Sequence, residues 1–486
     1  MPPSTYAPST TRSGREYAGH ADYPTFPHNE LQRLVSHAVH LEALVEDPPP
    51  CSSLLFPAKK RAASPTPLDS GRPCDSAPSQ ATSSSPAGVP SPLFLADAPI
   101  TLDNPKKNGS RLRRKKKKKS QVAEARRDTV ARSERPVNSS VAYDSSTFKA
   151  QTTGYCGLDT AYPHPHLDVQ GFRDIGYTVV PWNGIEALPI LDDRGTVYAV
   201  FAGRPRAADY MESCHRLYVA IDVMKKSTLF RPDQQIHRRG NYPAVNIGMT
   251  ADRGLIEPTN LKVPNNVSDG ARLLSKCHEM QRLLNFCDSS FQKWAPNLHA
   301  YYWQTMDKLA NHPKYRNLGS PGKGSAFASM TVNYGSSVVT VPHRDHKNLA
   351  FGWCAIVALG DFNPREGGHL VLHEPRLVVE FPPGSAALIP SAVLTHSNAL
   401  ISPQAQRASV TFYSSGSLFR FVDNGFQTLR SAQASNMADY QLLLAKMKGD
   451  HQDGANQGAE GRWKTGLALY STLQQLSGNV CEEAMA

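Results

Sequence analysis

The stretch Val341–Asn348, V-P-H-R-D-H-K-N, combines side chains that can bind a metal ion. In an extended segment His343 and Asp345 point the same way, because side chains alternate along a strand with a period of two. A second imidazole, His396, follows in the sequence L-T-H-S and can approach from a distant strand. Two histidines and one carboxylate on one face are the ligand set of non-haem Fe(II) oxygenases, so these residues predict a catalytic iron centre.

An Fe(II) oxygenase of this kind leaves coordination positions for a 2-oxo acid and O₂, and the far carboxylate of the 2-oxo acid needs a cation. Arg407 suits that carboxylate, because its planar guanidinium donates in a matching geometry. The chain can turn at 401–403 and return as a neighbouring strand, on which Ser409 shares the face of Arg407. Tyr334 is a further candidate donor to the co-substrate. The alternative for Arg407 is a charge on the strand surface.

Two kinds of element must position these residues. Apolar residues three to four positions apart predict helices over 211–224, 268–287 and 296–309, with a loop from 238 to 266. After Asn317 the pattern has a period of two. It predicts strands at 326–334, 337–342, 353–359, 369–373, 377–381, 386–390, 408–413 and 418–422, after earlier strands at 177–180 and 196–201. Short strands without intervening helices indicate a sandwich or barrel, with the helices packed on one side.

Composition divides the chain into four regions. Residues 1–145 are expected to be largely disordered, because Pro, Ser, Ala and charged residues dominate 47–145 and bury little apolar surface. A short amphipathic helix is predicted at 29–46. Residues 146–315 form a helical and mixed support region, 316–430 the β core, and 431–486 a C-terminal helix over about 439–448 with a polar tail.

The net charge of +11 belongs to one basic tract. Residues 106–135 contain 14 Lys and Arg and three acidic residues, so the rest of the chain is formally neutral. The tract over 111–119 predicts binding of the nuclear import machinery and therefore a nuclear location, with the cytoplasm as the alternative. A phosphate-backbone contact and a solvated basic linker are the other interpretations of this tract.

The cysteine pattern predicts a reduced intracellular protein. The chain has eight cysteines and no C-x-x-C pair, which argues against a disulfide framework or a structural zinc site. The chain also has no run of 18 apolar residues, and its first residues lack the apolar segment of a secretory signal. We therefore expect no membrane association and no secretion, while the oligomeric state stays open.

Taken together, His343-x-Asp345, the distal His396 and Arg407-x-Ser409 resemble the 2-oxoglutarate/Fe(II) dioxygenases. The glycine-containing turns at 366–370 and 383–390 resemble inner turns of their fold. The strings H-R-D-H-K-N and R-A-S-V-T-F-Y also resemble the TET/JBP-like group of nucleic-acid-modifying enzymes, of fungal type without the cysteine-rich module. The resemblance implies a mainly β fold with a helical cover, in which helices pack on a double-stranded β-helix (jelly-roll or cupin-like) core.

The resemblance implies an enzyme that uses Fe(II), 2-oxoglutarate and O₂ to hydroxylate the methyl group of a 5-methylcytosine-type base in nucleic acid. In that group the position of Asn348 contacts the target base and the position of Tyr413 stacks on the flipped base. From the residues alone, Asn348 can also be a cap that orders its loop, and Tyr413 can also be a core residue of its strand. Ser415 stands where vertebrate-type members carry a base-contacting His. The alternatives are a hydroxylase of protein side chains or small molecules at the same iron site, and an inactive β-helix binding module.

Overall fold

The computed structural model describes residues 117, 120–138, 141–151, 153–159, 164–252, 254–441 and 459–478. The described residues from 120 onward belong to one compact unit. The helix predicted at 29–46 lies outside these residues, as does the basic tract up to residue 119 apart from Lys117. Within the described ranges, no helix has the length and apolar character needed to cross a membrane.

Helices and strands alternate in the first half of the described chain, and short strands dominate the second half. The helices are α1 (120–131), α2 (Val169–Asp174), α3 (Tyr210–Ser227), α4 (Pro232–Gln235), α5 (Ser268–Lys276), α6 (His278–Trp294), α7 (Pro296–Asn311), α8 (Gly416–Asp423), α9 (Leu429–Ser435), α10 (Ala459–Leu467) and α11 (Leu473–Ser477). The strands are β1 (Val137–Asn138), β2 (Thr178–Val180), β3 (Leu188–Leu191), β4 (Val197–Gly203), β5 (Ile236–His237), β6 (Gly240–Asn241), β7 (Ala244–Thr250), β8 (Thr259–Asn260), β9 (Ser329–Asn333), β10 (Cys354–Asp361), β11 (Leu370–Leu372), β12 (Leu377–Val379), β13 (Ala386–Ile389), β14 (His396–Asn398) and β15 (Gln406–Tyr413).

The strands form two large layers. A nine-stranded sheet has the order β1-β3-β4-β13-β10-β15-β9-β7-β8, and a four-stranded sheet has the order β14-β11-β12-β2. Strands β5 and β6 pair separately as a hairpin. Most neighbours are antiparallel, while β1 with β3 and β12 with β2 are parallel. These mixed sheets and their helices agree with the predicted β layers under a helical cover.

Side-chain alternation in the four-stranded sheet shows how the layers pack. Leu370, Leu372, Leu377 and Val379 belong to the main core, together with residues of the nine-stranded sheet. The intervening residues Val371 and Val378 pack with Phe172 of α2 on the other face. Because strand side chains alternate between faces, the four-stranded sheet lies between α2 and the main core. Helices α3 and α6 pack on the nine-stranded sheet.

The helices predicted over 211–224 and 296–309 are confirmed as α3 and α7. The helix predicted over 268–287 is divided into α5 and α6, because Cys277 between them has extended dihedral angles, φ −66° and ψ 153°. Cys277 is buried among apolar residues, as the pattern of that segment predicts.

Three segments differ from the sequence-based expectations. Residues 418–422 lie in α8 and not in a strand, because Leu418, Phe421 and Val422 recur at helical spacing and pack into one small cluster. The predicted strand at 337–342 is not formed, and this segment makes a single isolated bridge, between Ser337 and Arg407. The loop expected from 238 to 266 contains β7, which joins the large sheet beside β9.

The ends of the folded unit extend beyond the predicted boundaries. The expected polar tail contains α10 and α11, and Trp463, Tyr470 and Leu476 from this segment are buried in the main core. The expected disordered region contains α1, from which Val130 also enters the core. The few apolar residues in these polar segments suffice to dock a helix, because the rest of the domain supplies the apolar surface that they cover. Most of the predicted helix at 439–448 lies outside the described residues.

Candidate metal centre

The two histidines of the predicted iron site lie opposite each other on paired backbone. His343 N–H donates to the carbonyl of His396 at 3.1 Å, and His396 N–H donates back to the carbonyl of His343 at 3.0 Å. Directly opposite residues of an antiparallel pair project their side chains to the same face. The two imidazole centroids are therefore only 4.3 Å apart. The backbone N–H of Asp345 donates to the carbonyl of Ser391 at 2.8 Å, which fixes the carboxylate beside them.

The atoms that can bind a metal converge. Nε2 of His343 and Nε2 of His396 each lie 3.9 Å from an oxygen of Asp345, and all three ligand atoms lie within 4.8 Å of one another. Nδ1 of His343 lies 2.7 Å from the carbonyl of Val341, and Nδ1 of His396 lies 3.0 Å from the carbonyl of Leu394. A carbonyl only accepts, so each Nδ1 carries the proton and each Nε2 keeps its lone pair towards the carboxylate.

Charge and burial favour the protonation states that bind a divalent cation. Burial lowers the pKa of His343 and His396, so both imidazoles stay neutral. Burial by itself raises the pKa of Asp345, but the positive charge of Arg239 and the neighbouring histidines outweigh it, and the net pKa lies below the ordinary range. Neutral imidazoles and an ionised carboxylate form a ready metal-binding set. Among the described residues, no other group of three such side chains converges in this way.

Two arginines lie beside the carboxylate, and sequence patterns did not identify them. Arg238 and Arg239 form the loop of the β5–β6 hairpin, with guanidinium nitrogens 3.4 Å and 3.6 Å from Oδ1 of Asp345. Arg238 also donates to the carbonyl of Arg344 at 2.8 Å. The only signal in the sequence is the string R-R-G, in which Gly240 has a positive φ of 151° and ends the turn.

Arg407 is a buried cation without a carboxylate partner in the described part of the chain. Its side chain is 1% exposed, it donates to the carbonyl of Val338, and its Nε has no hydrogen-bond partner. Burial lowers the pKa of Arg407 to about 10, still well above neutral pH, so the guanidinium is charged. A buried, charged and incompletely satisfied guanidinium is the feature that an anionic ligand would complete.

Ser409 lies on the same face of β15 as Arg407, as the spacing predicts. Asn333 of β9 donates from Nδ2 to the hydroxyl of Ser409 at 2.9 Å, while its own Oδ1 has no partner in the described ranges. Tyr413 shares this face by alternation, and its hydroxyl lies 3.4 Å from Oδ1 of Asn246. These residues form a polar strip across β15, β9 and β7, which we call the polar face.

Tyr334, predicted to contact the co-substrate, lies on the opposite face. It follows Asn333 in the chain, so its side chain projects away from the polar face. Its hydroxyl contacts Sδ of Met224 at 3.5 Å and its ring packs on Phe230, all within the main core. The structure thus places Tyr334 in the main core, on the face opposite Asn333, and does not bring it to the metal centre.

Asn348 lies in the loop after the metal ligands and holds that loop in place. Its N–H donates to the carbonyl of Asp345 at 2.8 Å, and its side-chain amide donates to the hydroxyl of Ser391 at 3.0 Å. Of the two interpretations of Asn348, these contacts correspond to ordering the loop. His346, the other histidine of the motif, faces away and its Nδ1 lies 3.2 Å from Asp159.

No family model matches the chain, and no curated protein matches it. Among solved structures, NgTET1 in complex with 5mC DNA is 13% identical over 50% of this chain and 84% of its own, with a TM-score of 0.32. A 2OG-Fe(II) oxygenase family oxidoreductase from Burkholderia pseudomallei is 17% identical over 43% of this chain and 90% of its own, with a TM-score of 0.24. Viral collagen prolyl hydroxylase from Paramecium Bursaria Chlorella virus-1, in its 2OG complex, is 10% identical over 40% of this chain and 89% of its own, with a TM-score of 0.21. With TM-scores below 0.5, these likenesses assign nothing to this chain, and its chemistry is inferred from its own residues.

Proposed function

We propose that the protein is a 2-oxoglutarate- and Fe(II)-dependent dioxygenase that hydroxylates a C–H bond. The observation that carries this proposal is the convergence of His343, Asp345 and His396, in metal-binding protonation states. The same fold buries Arg407, which has no carboxylate partner among the described residues. The donor set of two imidazoles and one carboxylate fits Fe(II), and the unpaired guanidinium fits a carboxylate of the co-substrate. The two sheets would then be the halves of a double-stranded β-helix.

Each residue has a distinct part in this chemistry. Bound Fe(II) would supply the redox chemistry in which O₂ oxidises 2-oxoglutarate to succinate and CO₂ and inserts one oxygen atom into a substrate C–H bond. The Nδ1–H groups of His343 and His396 donate to backbone carbonyls and so hold both rings in one orientation. Arg407 and Ser409 would hold the co-substrate, and the buried surroundings limit the access of water.

We further propose that the substrate is a methylated base in nucleic acid, of the 5-methylcytosine type. Positive side chains lie near the metal centre: Arg238, which is 52% exposed, and Arg239 both contact Asp345, and the exposed Lys347 follows Asp345 by two residues. Such groups can bind phosphates on either side of a flipped base. Tyr413 on the polar face offers a ring for stacking, and Asn348 holds the loop next to it. The basic tract at 111–119 would direct the enzyme to the nucleus through the import machinery.

The test is anaerobic loading of the protein with Fe(II) and 2-oxoglutarate, followed by O₂ and DNA that is either methylated or unmodified. We expect succinate in step with oxidised base, and only with methylated DNA. Replacing Arg238 by Gln should weaken DNA binding and reduce the dependence of binding on salt, whereas Arg206→Gln, at an exposed ion pair with Glu186, should do neither. Metal-dependent succinate production without base oxidation would refute the nucleic-acid substrate and leave the dioxygenase in place.

One observation favours a second candidate, a hydroxylase of protein side chains or of a small molecule at the same iron site. The amide of Asn348 already donates to Ser391, and Ser415 hydrogen-bonds to Ser417 at 2.9 Å. Both groups are therefore engaged within the protein, so the specific reading of a base would depend on other side chains. The same succinate assay separates the two candidates, because the second predicts turnover with peptide or small-molecule substrates and none with DNA.

A further inference from the structure

Tyr242 has a buried hydroxyl group that no sequence pattern singled out. The residue is 6% exposed, and its hydroxyl has no hydrogen-bond partner among the residues that the structure describes. Tyr242 follows the β5–β6 hairpin directly, and its ring packs edge-to-face on His237 with the centroids 4.7 Å apart. A buried hydroxyl without a partner is unfavourable, and a ligand beside it would complete its hydrogen bonding.

Strand geometry places this side chain on the polar face. In β7, Asn246 accepts a hydrogen bond from Thr331 at 2.6 Å on that face. By alternation Ala244 and then Tyr242 share the side of Asn246, and the N–H of Tyr334 donates to the carbonyl of Pro243 at 2.8 Å, so the pairing extends past Ala244. Ala244 also pairs with Asn333, whose amide contacts Ser409 on the polar face.

Arg407 lies on the same face, two strands away. Strand β9 lies between β7 and β15, and neighbouring strands are about 4.8 Å apart, so roughly 10 Å separates the two backbones. Both side chains are long enough to approach a common ligand from opposite sides. Asn333 of β9 and Ser409 of β15, which pair with each other, carry short side chains.

The charges around Tyr242 connect the metal centre with this cation. Burial raises the pKa of Tyr242 to about 12, although the positive charge of Arg239 opposes this, so the hydroxyl keeps its proton and can donate. Asp345 of the metal set and Arg407 also act on this hydroxyl. Tyr242 therefore lies close enough to Asp345 and to the guanidinium of Arg407 for both charges to act on its hydroxyl.

We infer that the hydroxyl of Tyr242 donates a hydrogen bond to the distal carboxylate of 2-oxoglutarate, which it holds jointly with Arg407. The two unpartnered donors, the Tyr242 hydroxyl and Nε of Arg407, then share one acceptor group. A carboxylate can accept both, since its two oxygens offer about four lone-pair positions. The inference rests on the proposed dioxygenase function and gives Tyr242 the role that the sequence pattern assigned to Tyr334.

The test is the affinity of the full-length protein for 2-oxoglutarate, measured calorimetrically with Mn(II) in place of Fe(II), so that no turnover is needed. Tyr242→Phe removes only the hydroxyl, and we expect the dissociation constant to rise about tenfold or more. Binding of 2-oxovalerate, which has the same 2-oxo acid group but no distal carboxylate, should not change. Tyr334→Phe, which also removes a buried hydroxyl, is the matched control and should bind 2-oxoglutarate like the wild type.

Each outcome decides between the alternatives. Wild-type affinity for 2-oxoglutarate in Tyr242→Phe would overturn the inference. An equal loss of affinity for 2-oxoglutarate and 2-oxovalerate would also overturn it, because the hydroxyl would then act away from the distal carboxylate. The melting temperature of the ligand-free variant should be unchanged or higher, so a lower value would assign the hydroxyl a structural role and also overturn it. A wild-type protein that binds no 2-oxoglutarate at all would instead refute the proposed dioxygenase.

Discussion

Replacing Arg407 by Met should stabilise the ligand-free protein and weaken its binding of 2-oxoglutarate. Met keeps an unbranched apolar stem of similar length and deletes the charge. Burial lowers the pKa of Arg407 from 12.5 to about 10, and each tenfold change in proton affinity is worth about 1.4 kcal/mol. The charged form is therefore about 3 kcal/mol less favourable in the folded protein than in the unfolded chain at any pH below 10.

Removing this charge therefore stabilises the folded protein, but the substitution also removes the favourable contacts of the guanidinium. The hydrogen bond to Val338 and the contact with the ring of Phe362, 5.6 Å from the guanidinium carbon, disappear together. Hydrogen bonds of charged groups contribute about 1.5–3 kcal/mol, so we expect a net stabilisation of about 1 kcal/mol. For a domain of more than 300 residues that corresponds to a rise of about 1.5 °C in melting temperature. Binding of 2-oxoglutarate should weaken by about a hundredfold or more, because the carboxylate loses its charge-assisted partner.

The assay is denaturant unfolding of the metal-free protein, together with calorimetric titration of 2-oxoglutarate into the Mn(II) form. Arg282→Met is the matched control, because Arg282 donates to both oxygens of Asp209, at 2.7 Å and 2.9 Å, near the surface. This control should lose up to about 1 kcal/mol of stability and no affinity for 2-oxoglutarate. A loss of more than about 1 kcal/mol in Arg407→Met would show that the charge is compensated in the folded protein. Unchanged affinity would show that the anion binds elsewhere.

Three further changes test other parts of the structure. Asp345→Ala should abolish Mn(II) binding, which electron paramagnetic resonance can measure. His346→Ala is the control and should still bind Mn(II), because the His346 ring pairs with the exposed carboxylate of Asp159. Mn(II) binding by Asp345→Ala would mean that the metal site is misplaced. Gly368→Ala should lower the free energy of unfolding by about 1–2 kcal/mol in denaturant, since Gly368 has a φ of +72°. It should also weaken 2-oxoglutarate binding, because an added Cβ would lie 3.1 Å from Nε of Arg407. Wild-type stability and affinity would contradict this packing. Trp463→Ala should lower the free energy of unfolding by about 3 kcal/mol, because it removes a large side chain from the main core. An unchanged melting temperature would show that the C-terminal segment does not pack in the core.

The residues of the metal centre were predictable because their spacing has a direct geometric consequence. An H-x-D pair on extended backbone projects both side chains to one face whatever surrounds it. The R-x-S pair at Arg407 and Ser409 has the same property. The partner His396 was identifiable by its type, although its register opposite His343 appears only in the backbone pairing of the two segments.

The helices with long apolar periodicity were also predictable, whereas short amphipathic segments were not. The alternation in L-F-R-F-V fits a strand as well as a helix, and only the cluster that Leu418, Phe421 and Val422 join determines that α8 forms. In the same way, α10 and α11 look polar in isolation. They fold onto the core because it offers an apolar surface to Trp463 and Tyr470.

By itself, the sequence determined which residue types can form the iron set and the anion site, since ligand chemistry and the two-residue period of a strand are local properties. Only the tertiary structure decided which other side chains reach that site. Tyr334 and Tyr242 are both buried tyrosines, but alternation and strand order direct the first towards α3 and the second towards the polar face. Arg238 and Arg239 lie beside Asp345 only because a hairpin distant in sequence folds back over the centre. Contacts between distant segments depend on strand order and register, and these are set by the packing of the whole domain.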